Sequence, residues 1–308
     1  MRAATYESYG SPDTLAVRDV PDPKVGPGEA LVEVRRAGVN PVDWKLMSGG
    51  LDGMMEVTFP VVPGWDVAGV VRAVGPDTPE VAVGDEVMAY ARKDWVHGGT
   101  FAELVTVPAR ALAHKPAGLG WDEAGGLPLA GLTALRTLRR LEVGPGDTVL
   151  VHAAAGGVGL LAVQIARELG ATTVVGTASE GNHEHLRELG ATPVSYGAGL
   201  ADRVREIAPD GVDAVADFVG GVLDDTLAVL REGGRHASIT DPSVTEHGGS
   251  WIWVRPDGEE LQWLADRAAD GRLVVDVAGT YGLDEVARAF ARSQQGHVSG
   301  KLVIAVGD

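Results

Sequence analysis

An apolar strand that runs straight into a glycine cluster and then opens a helix constrains this chain more than any other feature. Residues 149–159 read VLVHAAAGGVG. The strand pattern 148–153 leads into Gly156, Gly157 and Gly159, and a helical pattern follows at 158–169, ended by Gly170. In such a turn two glycines allow a tight bend and the close approach of a pyrophosphate to the backbone. The third lets helix and strand pack together. The helix N-terminus then aims free N–H groups and a positive dipole end at the phosphate. With 43 glycines in the chain, a glycine cluster alone says little. Its place between a strand and a helix makes it a dinucleotide-binding signal.

The surrounding pattern agrees. From residue 148 on, strands at 148–153, 172–176, 212–217 and 236–240 alternate with helices at 158–169, 183–189 and 223–230. Gly190 and Gly233-Gly234 are read as helix stops. This alternation predicts a doubly wound parallel sheet. The first third reads differently. Short strands at 30–36, 67–74, 86–90 and 101–107 are punctuated by Gly38, Pro41, Pro76 and Gly84, which predicts a compact β-rich unit. Gly69, inside a strand, predicts a close backbone approach. Helices are expected at 121–129, 132–141 and 258–270. The tail reads as strand 273–277, helix 283–293 and strand 301–306, returning to the β-rich part. The expected fold is α/β: a Rossmann domain, 119–271, inserted in a β-rich domain formed by 1–118 and 272–308.

Composition narrows the function. Forty-three acidic against 26 basic side chains leave a formal net charge of −17. That argues against a general binder of nucleic acid or anionic membranes, because Lys and Arg carry phosphate affinity. No run approaches the roughly 18–20 apolar residues of a membrane span. The opening MRAATYESYG has no apolar signal core, and a cytoplasmic setting is expected. The absence of cysteine removes disulfides, thiolate-held zinc, iron–sulfur clusters and cysteine nucleophiles.

The strand after the glycine turn bears on the cofactor. A carboxylate at its end would hold the ribose 2′-hydroxyl of NAD. Here the strand ends Gly176-Thr177-Ala178-Ser179, with no carboxylate before Glu180. A small, hydroxyl-bearing end suits a 2′-phosphate, with Ser179 as donor and Arg187 farther along the helix. A plainer reading makes Ser179 an N-cap and Arg187 a solvated side chain. NADPH is the favoured cofactor, and NADH is the alternative.

Six stretches occur in an order shared with a known family: GVNPVDWK at 38–45, PGWDVAG at 63–69, GLTA at 131–134, AAAGGVG at 153–159, DFVGG at 217–221 and GHVSGK at 296–301. Over nearly its full length the chain resembles the zinc-independent quinone oxidoreductases of the medium-chain dehydrogenase/reductase superfamily. The resemblance implies a GroES-like barrel domain completed by the tail, a cofactor in the cleft, and a homodimer. It implies that Asn40 approaches the nicotinamide and that Thr133 lies on the nicotinamide-ribose side. Ala155, Gly156, Gly157 and Val158 would hold the pyrophosphate, and Tyr196 would lie by the adenosine. Phe218, Val219, Ile239 and Thr240 would flank the nicotinamide, and Lys301 would reach the cofactor or cleft. Two positions depart from the family pattern. Gly181 stands where relatives often carry an arginine for the 2′-phosphate, which admits NADH. Ser299 stands where an arginine often precedes Gly-Lys.

The resemblance also bears on chemistry. Asn40 occupies the place of the first zinc-binding cysteine of related alcohol dehydrogenases, and Trp65 that of their histidine. No metal is expected. Alcohol oxidation without a Lewis acid loses its usual means of activating the hydroxyl. Hydride addition to a quinone or conjugated C=C fits better, since hydrogen bonds alone stabilise an enolate. Asn40, Asp43 and Lys45 are candidates for positioning substrate and nicotinamide; the plainer reading of Asp43 and Lys45 is a salt bridge that anchors the loop. Trp95, beside a glycine-rich loop, is a candidate to stack on a planar substrate and Trp65 to pack behind the former metal position, with core packing the plainer reading of either; His97 is read as a loop residue, with proton donor the alternative. His183 and His185, two apart on a helix, diverge. Segments 49–58 and 92–99 are expected to set the substrate. The resulting expectation is an NADPH-dependent reductase of small quinones or α,β-unsaturated carbonyls. The alternatives are a non-catalytic NADPH-binding protein and an enoyl reductase dedicated to one pathway.

Overall fold

The structure, a computed structural model, describes residues 1–307. It divides into two compact units, Met1–Leu132 with the chain from Arg255 on, and Thr133–Val254. The sequence pattern puts the divisions at 118/119 and 271/272. Segments 119–132 and 255–271 instead join the first unit, and hydrogen bonds explain why. The Leu129 N–H donates to Asp66 Oδ1 at 2.8 Å, and the His114 N–H donates to Gln262 Oε1 at 2.8 Å. Both bonds tie these segments to strands of the first unit.

The main sheet of the first unit runs in the order Val277–Gly282, Lys301–Ala305, Glu29–Val39, Asp66–Val74, Glu86–Tyr90, Leu112–His114. Leu104–Pro108 also pairs with the long strand Glu29–Val39. Along that strand Ala30, Val32 and Val34 are buried in alternation, the period of a half-buried strand. The tail returns as predicted: Lys301–Ala305 lies antiparallel to Glu29–Val39, with Leu302 opposite Val39. The close approach predicted at Gly69 is present. A Cβ there would stand 2.0 Å from the Glu33 carbonyl oxygen, and the strand register slips beside it.

The second unit holds a six-stranded parallel sheet, ordered Thr192–Ser195, Thr173–Ala178, Thr148–His152, Val212–Asp217, Leu230–Ser238, Ser250–Trp251. Numbered along the chain, this is the 3-2-1-4-5-6 order of the doubly wound dinucleotide fold. Every residue of Val212–Asp217 is buried, as expected of a central strand covered on both faces. Leu150, Val175 and Val215 of the sheet pack with Leu200 and Val204 of helix Leu200–Ile207 and with Val229 of helix Leu223–Val229.

Local boundaries differ from the sequence pattern in three places. Gly233 and Gly234 do not follow a helix end. They lie inside strand Leu230–Ser238, where the register against Val212–Asp217 slips. The paired helices near residue 130 break at Leu127, giving Trp121–Gly126 and Pro128–Arg140, because Pro128 has no N–H to continue the first. The tail strand expected at 273–277 forms at Val277–Gly282. Among the described residues, no helix is long and apolar enough to cross a membrane.

Candidate active site

In the second unit the glycine turn leaves the strand Thr148–His152 at the point where the chain order in the sheet reverses. Thr177, on the neighbouring strand Thr173–Ala178, pins it. Its Oγ1 accepts the Ala153 N–H at 3.0 Å, and its carbonyl accepts the Ala154 N–H at 2.9 Å. Ala153 takes φ 54°, a left-handed conformation held by these bonds. A Cβ on Gly159 would stand 2.2 Å from the Ala153 carbonyl oxygen, and one on Gly176 2.8 Å from Ala154 Cβ. Gly156 caps helix Gly157–Glu168 without a side-chain bond, so the first N–H groups of the helix have no side-chain partner. Ala155, Gly156, Gly157 and Val158 are half-exposed. Uncapped, accessible amides over glycine are what a pyrophosphate needs, and the turn fits a dinucleotide.

The other predicted cofactor residues are distributed around this sheet. Ser179 is exposed at the strand end, where its Oγ accepts from Asn182 Nδ2 at 3.0 Å. Arg187 pairs with Glu184 at 3.5 Å on the helix surface, as in the plainer reading. A Cβ on Gly181 would meet nothing within 4 Å. Tyr196 is 59% exposed, and Val219 is also open. Thr133 is buried, and its Oγ1 has no hydrogen-bond partner.

The segments carrying Phe218, Val219, Ile239 and Thr240 are shaped by two residues that sequence reasoning did not single out. Asp217 Oδ1 accepts the N–H groups of Val219 and Gly220 at 2.8 and 2.9 Å. Its Oδ2 accepts the Ser238 hydroxyl at 2.6 Å, and Ser238 Oγ in turn accepts the Thr240 and Asp241 N–H groups. An Asp followed closely by paired glycines is a local turn signal that points to Asp217. Ser238 has no such signal.

In the first unit, Asn40 caps helix Pro41–Met47 in half of a capping box. Its N–H donates to Asp43 Oδ2 at 2.8 Å, and its carbonyl accepts the Asp43 N–H at 3.0 Å. The Asn40 amide is engaged elsewhere. Its Nδ2 donates to Asp66 Oδ2 at 2.8 Å, and its Oδ1 accepts from Lys301 Nζ. Lys301 Nζ also donates to the Val39 carbonyl at 3.2 Å and lies 3.9 Å from Asp66 Oδ2. Asp43 is 1% exposed and Lys301 5%. Burial pushes the Asp66 carboxyl up to about 6 against the downward pull of Lys301, so Asp66 and Lys301 form an ion pair at neutral pH. Burial also draws Lys301 down, opposed by Asp66 and Asp43. Asp43 is pushed further, to about 8, by burial and by the Asp66 charge, and it holds its proton at neutral pH. Its Oδ1 has no hydrogen-bond partner.

Lys45 does not join this cluster. It is exposed, with Nζ 5.6 Å from the centre of the Trp44 ring, and the salt bridge with Asp43 does not form. Two residues apart on a helix, the side chains diverge. Lys301, 261 positions from Asn40, takes the place beside it.

Asp43 also lines a small pocket open to solvent, with Tyr6, Trp65, Lys93, Trp95 and His97. Trp65 is buried edge-on to Tyr90. Trp95 is 50% exposed and stacks on His97, ring centres 5.4 Å apart.

Comparison with known proteins places these parts. Residues 26–117 match the alcohol dehydrogenase GroES-like domain, and residues 169–304 match a domain described as zinc-binding dehydrogenase. The chain is 35% identical to a chloroplastic NADPH-dependent alkenal/one oxidoreductase of Arabidopsis thaliana, over 99% of this chain and 79% of that protein. The chain belongs to the quinone oxidoreductase family of the medium-chain dehydrogenase/reductase superfamily. Within that family, the quinone oxidoreductase of Coxiella burnetii matches with a TM-score of 0.88 at 32% identity, covering 100% of this chain and 99% of that one. A mycobacterial protein solved with NADPH matches with a TM-score of 0.84 at 32% identity, covering 99% and 100%. The matched domain's name mentions zinc. In this quinone oxidoreductase homologue, among the described residues, no three His, Cys, Asp or Glu side chains gather to hold a metal, and both ends of the Asn40 amide are engaged by Asp66 and Lys301.

Proposed function

We propose that this oxidoreductase reduces quinones and α,β-unsaturated carbonyls with NADPH and without zinc. One observation carries the reading. Where related alcohol dehydrogenases place zinc donors, this chain has the buried Asp43–Asn40–Asp66–Lys301 network, and its one protonated carboxyl lines the pocket. The relatives are named for the same chemistry.

NADPH, when bound, supplies the hydride. The chain binds, orients and holds a proton. In the second unit the amides of Ala155, Gly157 and Val158 take the pyrophosphate, while the Gly156 N–H donates to the Ala153 carbonyl and Gly176 and Thr177 keep the turn in shape. Ser179 donates to the 2′-phosphate. Because that strand end has no carboxylate and Gly181 adds no cation, NADH is accepted as the weaker cofactor. The unsatisfied Thr133 hydroxyl takes the nicotinamide-ribose side, and Tyr196 the adenosine. Asp217 and Ser238 set Phe218, Val219, Ile239 and Thr240 beside the nicotinamide.

In the first unit Asn40 and Asp43 position the substrate, and Lys301 fixes the Asn40 amide. Asp43 Oδ1 holds the proton that the reduced substrate takes up. Hydrogen bonds then stabilise the developing oxyanion in place of a metal. Lys45, on the exposed face of the same helix, acts at most from the solvent side. The test is to mix the protein with NADPH and either a naphthoquinone or benzylideneacetone and follow nicotinamide absorbance. Oxidation of NADPH is expected. No oxidation of NADPH or NADH across a panel of quinones and enones would overturn the reading.

A further inference from the structure

Lys93 is the least balanced charge in the pocket. Its Nζ has one hydrogen bond, to Thr106 Oγ1 at 3.3 Å, and forms no ion pair among the described residues. The carboxylate whose charge reaches it, Glu29, takes the Gly26 N–H at 2.8 Å and forms no ion pair with it. Asp94, its chain neighbour, is exposed. Nor does Asp43, in the same pocket, form an ion pair or hydrogen bond with Lys93. Burial lowers the Lys93 pKa, and Lys93 and burial together lower that of His97. The Nζ lies 3.4 Å from where a Cβ on Gly98 would stand, so the ammonium sits against bare backbone of the pocket wall. Arg92, next in the chain, has a buried Nε with no hydrogen-bond partner. In a chain of net charge −17, two adjacent cations that form no ion pair among the described residues stand out. A half-buried ammonium in this state gains most from an anion that brings its own charge. Half-exposed Trp95, stacked on His97, adds a flat apolar face in the same lining.

We propose that this pocket selects planar substrates carrying a carboxylate, which Lys93 Nζ receives while the conjugated ring lies on Trp95. This deepens the reductase reading and rests on it: the substrate class becomes an aryl enone or quinone acid rather than a neutral alkenal. The acceptor end of such a molecule is left for Asp43.

A matched pair decides it: benzylideneacetone and its para-carboxylate. The native protein should reduce the carboxylate with a kcat/KM about tenfold above that of the neutral ketone, the scale of one charge-assisted hydrogen bond. In Lys93→Met that ratio should fall to about one, and Lys93→Arg should restore it. A bystander role would not produce this charge-dependent rescue. An NADPH fluorescence titration of each variant separates this result from misfolding. A native ratio at or below one, or a ratio unchanged in Lys93→Met, overturns the proposal. Absence of turnover with both ketones would count against the reductase reading alone. Calorimetry with the saturated para-carboxylate ketone then decides anion selection. Binding that Lys93→Met abolishes supports it, and binding that is absent or insensitive to the substitution overturns it.

Discussion

The two candidate sites, one in each unit, are built in opposite ways. In the second unit the glycine turn is made of backbone: amides of consecutive residues, shaped by the neighbouring strand's Thr177. In the first unit the Asn40 cluster is made of side chains brought from positions 40, 43, 66 and 301, all buried. The first construction offers partial charges that never titrate. The second buries two carboxyls and an ammonium, whose protonation decides whether the cluster is neutral. A backbone site therefore tolerates any pH but no extra methyl group. A side-chain site tolerates some change of shape but not the loss of a charge.

Breaking the side-chain site should have the largest effect. Lys301→Met leaves Asp66 buried without its counter-ion, at a cost of about 3–5 kcal/mol. Asp66 is already raised by burial and would rise further without Lys301. The folded state then binds more protons than the unfolded one, so the variant's deficit should grow as pH rises above about 6. Urea unfolding of the native and variant proteins across that range measures it. A deficit independent of pH would show that Asp66 does not depend on Lys301.

The backbone site should respond to volume instead. Gly159→Ala puts a Cβ 2.2 Å from the Ala153 carbonyl oxygen. Forcing an atom into a packed turn costs about 1–3 kcal/mol, with no pH dependence. NADPH affinity, read by fluorescence titration, should fall along with stability, because the amides that take the pyrophosphate shift. Undiminished affinity would mean that the phosphate is held elsewhere.

The same contrast explains what was legible in the sequence. A strand, three glycines and a helix are neighbours in the chain, so local pattern finds the turn and the alternation around it. Asn40, Asp43, Asp66 and Lys301 all lie in local motifs that resemblance picks out, but which of them bond to one another is not written in any one motif. Asp66 meets Asn40 across 26 positions, and Lys301 meets it across 261. Nothing in either neighbourhood announces the pairing, while local spacing makes the nearby Lys45 the plainer partner for Asp43. Lys93 could be recognised as unpaired only after every carboxylate had been placed. Fold boundaries missed for a related reason. Helices Trp121–Gly126 and Gly258–Ala269 have ordinary helical patterns, and only bonds to distant strands assign their segments to the first unit.

Asp43 sharpens the comparison, since it is the group whose proton the mechanism uses. Its folded pKa, about 8, stands above the ordinary carboxyl value of 3.8. The stability it contributes is therefore present in acid and lost as pH rises through that window, by at most about 1.4 kcal/mol per pH unit. Reductase activity should fall as pH rises past about 8, where the proton leaves. Asp43→Asn keeps an acceptor for the Asn40 N–H and removes the titration. It should flatten the alkaline loss of stability and lower kcat, with no alkaline limb left in the rate profile. A limb that persists in Asp43→Asn would assign the proton to another group, and the pocket's Tyr6, pushed upward by burial and by Asp43, would be the next to examine.

The smallest effect belongs to the exposed rim of the backbone site. Gly181 faces open space, Ser179 is exposed, and Arg187 is engaged by Glu184, so no unpaired cation here is committed to a 2′-phosphate. Gly181→Arg adds one. An exposed ion pair is worth about 0–1 kcal/mol, so the preference for NADPH over NADH should rise by no more than about fivefold. The gain should shrink with added salt, because the charges are solvated. The ratio of kcat/KM values for the two cofactors, at low and high ionic strength, reads this directly. A fall in NADH efficiency without a gain for NADPH would mean that the arginine blocks the adenosine side instead of pairing with phosphate. A salt-insensitive gain would mean that the rim is drier than its exposure implies, and that the sites of the two units differ less than their construction suggests.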